Sequence, residues 1–138
     1  MALTAERIGY RGYIGSRPFM GENATQQVQN IVLVNYAERE NLRYLLSATE
    51  YAMPDCMMML EQVLEELPKL EGVICYSLFM LPRQTERRQR VYRSVISSGA
   101  EMHFAVERTI LRHDADIPGI ESLWLTRRAL PYLSLIHI

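Results

Sequence analysis

The sequence predicts an α/β domain: a parallel four-stranded sheet with helices on both faces, in three layers. Two observations carry this. Apolar runs of strand length alternate with segments of helical period in the order β-α-β-α-β-α-β-α, and short links between such segments favour parallel strands joined by right-handed crossovers. The run Gly72–Leu81, GVICYSLFML, is almost unbroken apolar, the pattern of a strand covered on both faces. With 138 residues, 49% of them hydrophobic, the chain is sized for one core rather than two. A single domain over residues 1–132 is expected.

Each element has its own signal. Residues 8–15, IGYRGYIG, combine aromatic and β-branched side chains and stop at Ser-Arg-Pro, which predicts a first strand ending near Gly15. Asn23 stands three residues before Gln26, a capping-box spacing, and Val28, Ile31, Val32 and Tyr36 recur at helical intervals up to about Arg39. Leu42–Thr49 reads as the second strand. Pro54 and Asp55 stop it and open a second helix over Cys56–Leu67, with Leu60, Val63, Leu64 and Leu67 on one face. Pro82 ends the third strand. Thr85 is placed to cap a third helix through about Ser98, with Val91, Tyr92, Val95 and Ile96 inward and Arg87, Arg90 and Arg93 in solvent. Gly99 is placed to close it. Glu101–Val106 alternates as the fourth strand, and Asp116 with Pro118 opens a last helix carrying Ile120, Leu123 and Trp124. The tail Leu133–Ile138, LSLIHI, follows a proline without cap, period or turn signal, and it is similar to the translation of a transposon end used in sequencing libraries. It is expected to be a non-native read-through, which removes His137 as a ligand candidate.

Charge and composition narrow the classes of partner. Fifteen Lys+Arg nearly balance sixteen Asp+Glu, so no global field draws the chain to nucleic acid or an anionic membrane, and any anion site must be local. Nucleic acid is therefore not expected as a partner. All the basic residues but Lys69 are arginines, suited to bidentate contacts with carboxylate or phosphate. Cys56 and Cys75 sit in apolar segments without metal-ligand spacing and read as buried free thiols of a reducing compartment. There is no leader-like N-terminus and no apolar run of ~18 residues, so a cytoplasmic location away from membranes is expected. No cofactor or metal is expected.

In an open parallel sheet, ligands sit beyond the carboxyl ends of the strands, where the winding reverses. The loops there carry Ser16 and Arg17, then Thr49, Glu50 and Tyr51, then Arg83, then Glu107 and Arg108. A strand order 2-1-3-4 brings Ser16, Arg17 and Arg83 into one crevice with Glu50 at its rim. Arg11, Ser16, Arg17, Tyr51 and Arg83 are the candidate phosphate-binding set, because guanidinium forks, a hydroxyl and a helix N-terminus form an anion cradle. Ser16 and Glu50 are the catalytic candidates, as nucleophile and as acid or base. Plainer roles stand beside these: Arg17 paired with Glu50, Ser16 satisfying a turn, His103 hydrogen-bonded and half-buried. His113 beside Asp114 and Asp116 lacks metal partners, Met57–Met59 reads as an adaptable core or partner-facing helix start, and the Arg87–Arg90 cluster reads as a solvated face with nucleic-acid contact as the alternative.

Two resemblances add to this. The stretches "GYIGSR", "QQVQNIVLVNYAEREN", "LFMLPRQTERRQ" and "GAEMHFAVE" resemble in order the catalytic domain of serine recombinases, the resolvases and invertases. That resemblance implies a resolvase-like, three-layer fold, for which flavodoxin-like is the alternative, and DNA cleavage by a first-loop serine aided by arginines. The family's Tyr-x-Arg-x-Ser motif meets Gly15 where it needs arginine and Arg17 where it needs serine, and its Leu-Asp-Arg-Leu-Gly-Arg retains only Arg83 within Leu78–Arg83. The cleavage chemistry is therefore not implied. The stretches "GYRGYIGSRPFMG", "QQVQNIV", "LLSATEYAMPDCMMMLEQVLEELP", "GVICYSLFMLP" and "HFAVE" resemble the bacterial sporadic carbohydrate cluster family. That resemblance implies a role in surface or secreted carbohydrate biosynthesis, with a sugar phosphate or nucleotide-sugar and other pathway enzymes as partners. A homo-oligomer is an open alternative, and a non-catalytic scaffold or regulatory module and, second, a divergent serine-recombinase-like DNA-binding domain are the alternative functions.

Overall fold

The computed structural model describes residues 6–15, 24–50 and 57–136, with side chains through residue 127. Five strands form one sheet: β1 (Tyr10–Gly15), β2 (Tyr44–Glu50), β3 (Gly72–Cys75), β4 (Glu101–Phe104) and β5 (Thr109–Leu111), in the order β2-β1-β3-β4-β5. The first four are parallel, and β5 returns antiparallel on β4 with Met102 opposite Leu111. The expected four-stranded parallel sheet is thus corrected to a mixed five-stranded one. Three residues flanked by charge show too little alternation to be read as a strand. The turn that makes β5 holds Arg108 at φ 51, a left-handed position that no local signal in the sequence announces.

Four helices cover the sheet: α1 (Gln26–Arg39), α2 (Met58–Glu66), α3 (Thr85–Ser98) and α4 (Ile117–Ile136). The crossover through α1 leads from β1 outward to β2, while those through α2 and α3 lead the other way across the sheet. With right-handed connections α1 therefore lies on one face and α2 and α3 on the other. This three-layer arrangement reverses its winding between β1 and β3, the expected switch point.

Several boundaries moved for identifiable reasons. Thr25, not a residue further upstream, accepts the Val28 N–H and caps α1. The buried face of α1 is Gln29, Leu33, Tyr36 and Ala37, whereas Val28 and Ile31 are exposed. The period was legible but the face was not, because the Gln29 amide is fully used on Gly15 and Ala24 and so tolerates burial. The apolar run from Gly72 stays a strand only to Cys75, then winds into a 3-10 turn at Leu78–Met80. Ser77 causes that break: its Oγ accepts the Phe79 N–H and donates to Glu107. Gln84, rather than Thr85, stands at the cap of α3, and Gly99 closes that helix at φ 79, where other residues are strained. Gly72 is required by close approach, since a Cβ there meets the Glu101 carbonyl of the neighbouring strand. Among the described residues no helix is long and apolar enough to cross a membrane.

Candidate functional site

The carboxyl ends of β1, β2 and β3 meet as expected, but carboxylates and an amide hold the described residues there. Glu50, the last residue of β2, is 5% exposed. It accepts from Tyr13 Oη at 2.8 Å and from the backbone N–H groups of Met59 and Leu60 at 3.1 Å each. The cap residue of α2, Met57, supplies no side-chain hydrogen bond, so a carboxylate from the sheet stands in for the missing cap on the first turn. Glu107 does the same after β3, accepting from Ser77 Oγ at 2.7 Å and Leu78 N–H at 2.9 Å. Beneath them Cys75 is free and buried, and burial with the nearby Glu107 charge pushes its thiol pKa far up.

The expected cradle is not assembled by the described residues. Arg11 lies on the second residue of β1, toward the amino ends, with Nη1 3.0 Å from Glu66 Oε1 on α2. Arg83 is exposed, and its carbonyl receives Arg88 Nη1 at 2.7 Å. Ser16, Arg17, Tyr51 and Cys56 lie outside the described residues.

A polar network that sequence patterning places only in part occupies the amino ends of the strands. His103 is 2% exposed, with Nε2 2.9 Å from Glu101 Oε1 and Nδ1 2.7 Å from Tyr36 Oη. The Glu101 carboxylate only accepts, so Nε2 carries the proton and Nδ1 accepts from Tyr36. Tyr10 Oη and Arg112 Nε donate to the same carboxylate at 2.7 and 2.6 Å. His103 therefore acts as a linker between α1 and the sheet.

This network has a pH consequence. Burial holds the His103 pKa below its ordinary value against the pull of Glu101. As pH drops below about 6.5 the unfolded chain takes up this proton first, so stability present at neutral pH is lost downward through that window. For Glu101, burial pulls upward, but hydrogen bonds from His103, Tyr10 and Arg112 outweigh it and leave the pKa lowered. Its loss has the same sign at more acid pH. Urea midpoints taken between about pH 7.5 and 5 should fall in the native chain and change less in His103→Gln; parallel slopes would remove His103 as the source.

On the other face of the sheet Arg88 is 2% exposed and bound by Glu121 of α4 through Nη2–Oε1 at 2.8 Å and Nε–Oε2 at 2.9 Å. Its guanidinium lies 4.3 Å from the Trp124 ring centre and also donates to the Pro82 and Arg83 carbonyls, while Tyr92 Oη donates to Glu121 at 2.6 Å. Burial works against the charge of Arg88, but Glu121 more than offsets it and leaves the pKa raised. The expectation of a solvated face over Arg87–Arg90 is corrected at Arg88, although the signal was present: Arg88, Val91, Tyr92 and Val95 stand at i, i+3, i+4 and i+7. Arg87 is half-buried and Arg90 and Arg93 are exposed along α3, and with Arg83 just before it they form no ion pair among the described residues. Among those residues no group of three or more His, Cys, Asp or Glu is placed to hold a metal. Asp116 instead accepts the Arg112 and His113 N–H groups and opens the turn into α4.

Sheet order, three layers and the antiparallel fifth strand define an α/β fold of the resolvase type. The chain superposes on a resolvase family site-specific recombinase from Streptococcus pneumoniae with a TM-score of 0.63 and 8% identity, over 93% of this chain and 94% of that one. The N-terminal catalytic domain of TP901-1 integrase gives 0.61 and 15% identity, over 90% and 98%. No family model and no curated protein matches the chain. The likeness overturns the expectation that nucleic acid is no partner, since the fold is shared with a recombinase and an integrase. No match ties the chain to carbohydrate clusters.

Proposed function

We propose that the chain is a divergent serine-recombinase-like module that binds nucleic acid through the arginine row of α3, without the cleavage chemistry of that fold. The observation that carries this reading is the row Arg87, Arg90 and Arg93, preceded by Arg83, left without ion pairs among the described residues. The three helical arginines span about 9 Å, the axial rise of two to three phosphates on one strand. The chain's net charge of −1 requires such a contact to be local. Gly15 stands where the fold's cleavage motif carries an arginine, so a guanidinium that would stabilise transition-state charge is missing. Anion binding at the strand ends gains no support from the buried Glu50 or from Glu107, whose carboxylates disfavour a second negative group there.

The test is duplex binding by fluorescence anisotropy across a salt series. With about three phosphates neutralised, log K should fall against log salt with a slope near −3, and Arg90→Gln should reduce that slope by about one. A salt-independent affinity, or one untouched by Arg90→Gln, defeats the reading. A second reading, a non-catalytic interaction module, is favoured by the exposed apolar row Val28, Ile31 and Val34 on α1. It predicts concentration-dependent assembly that Ile31→Glu abolishes.

A further inference from the structure

Between α2 and α3 lies a groove of about 160 Å³, apart from the strand ends, which shares Arg87 and Arg90 with the proposed nucleic-acid row. Leu60 and Leu64 of α2, with Val91 of α3 and Pro82, give it apolar surface, while Arg87 and Arg90 line the α3 side and Glu61 the α2 side. Leu60 and Val91 are buried and Leu64 is half-buried, so the apolar surface open to the groove is chiefly that of Leu64. An engineered, wholly apolar cavity of about 150 Å³ admits a benzene molecule; this groove, with mixed polar and apolar walls, has a similar volume, enough for one six-membered ring. Two guanidiniums on one side suit a carboxylate, which they hold by charge-assisted and bidentate hydrogen bonds. Glu61 opposite accepts from a hydroxyl or amine on the far side of that ring and repels a second anion.

We propose that the α2–α3 groove is a binding site for a small aromatic carboxylate carrying a hydrogen-bond donor across the ring. The ring rests on Leu64 over the buried Leu60 and Val91, the carboxylate meets Arg87 and Arg90, and the donor meets Glu61. The site is selective for the combination, because phenol lacks the anion and acetate lacks the apolar body.

The experiment is isothermal titration calorimetry on the full chain with 4-hydroxybenzoate, using phenol and acetate as comparators. Saturable binding with a dissociation constant of about 1 mM or tighter is expected, with both comparators at least about tenfold weaker. The double variant Arg87→Gln/Arg90→Gln changes one half-buried and one exposed side chain, should keep the native melting temperature, and should lose the saturable heat. Leu64→Trp fills the ring space and should also lose it while leaving duplex binding as in the native chain, which separates this site from the arginine row. Absence of saturable heat up to about 10 mM, phenol binding as tightly as 4-hydroxybenzoate, or binding that survives both variants would each overturn the proposal.

Discussion

Arg88→Met is expected to destabilise the fold by about 3 kcal/mol, lowering the melting temperature by roughly 10 °C. The arginine is 2% exposed and its two-pronged contact with Glu121 joins α3 to α4. Methionine keeps the stem against Trp124 but leaves Glu121 facing only Tyr92 in a part-buried setting. An ion pair of this kind contributes little net stability over a well-packed apolar pair, yet losing one partner is severe because the other charge stays desolvated. The double variant Arg88→Met/Glu121→Leu should therefore recover most of the loss. Trp124 is the only tryptophan, so its fluorescence during urea unfolding reads this contact directly. A single variant within about 1 kcal/mol of the native chain would show that α4 is held elsewhere.

The second large effect is expected at Glu50. Glu50→Ala removes the acceptor for Tyr13 Oη and for two N–H groups in the first turn of α2. Leaving buried donors unmade costs about 3 kcal/mol in total, and Glu50→Gln, which keeps one acceptor oxygen, should cost roughly half of that. Chemical denaturation measures both. If Glu50→Ala unfolds with the native midpoint, the carboxylate is not the helix anchor its geometry describes, and an acid or base role returns to consideration. Duplex affinity of the folded fraction should be unchanged in both variants, since Glu50 lies at the strand ends and not on the arginine row of α3.

These two residues show how legibility divided. Glu50 was visible in the sequence as a carboxylate at a strand end, and that placement was right. Its partners were not visible, because they are backbone groups about ten residues along and a tyrosine on the adjacent strand, brought together only by sheet register. Arg88 was visible as one of a basic run whose charge suggests a solvated face, although its spacing to Val91, Tyr92 and Val95 is that of an inward position. Its partner Glu121 is remote in sequence and belongs to a helix whose docking no local signal encodes.

Arg11 and Arg83 make the same point. Composition identified arginine as the side chain of interest, and loop position nominated Arg83, but register put Arg11 against Glu66 instead.

By itself the sequence determined the alternation of strands and helices, most inward positions of α2 and the apolar ones of α3, and the glycine that ends α3. All of these follow from local period, capping and steric rules acting over a few residues. The tertiary structure alone decided the fifth strand, the turn that breaks the apolar run after Cys75, the rotation of α1 toward Gln29, and the use of Glu50, Glu101, Glu107 and Glu121 as internal anchors. A buried polar group is tolerated only where a partner from elsewhere in the chain completes its hydrogen bonds. Which partner arrives is fixed by packing rather than by neighbouring sequence.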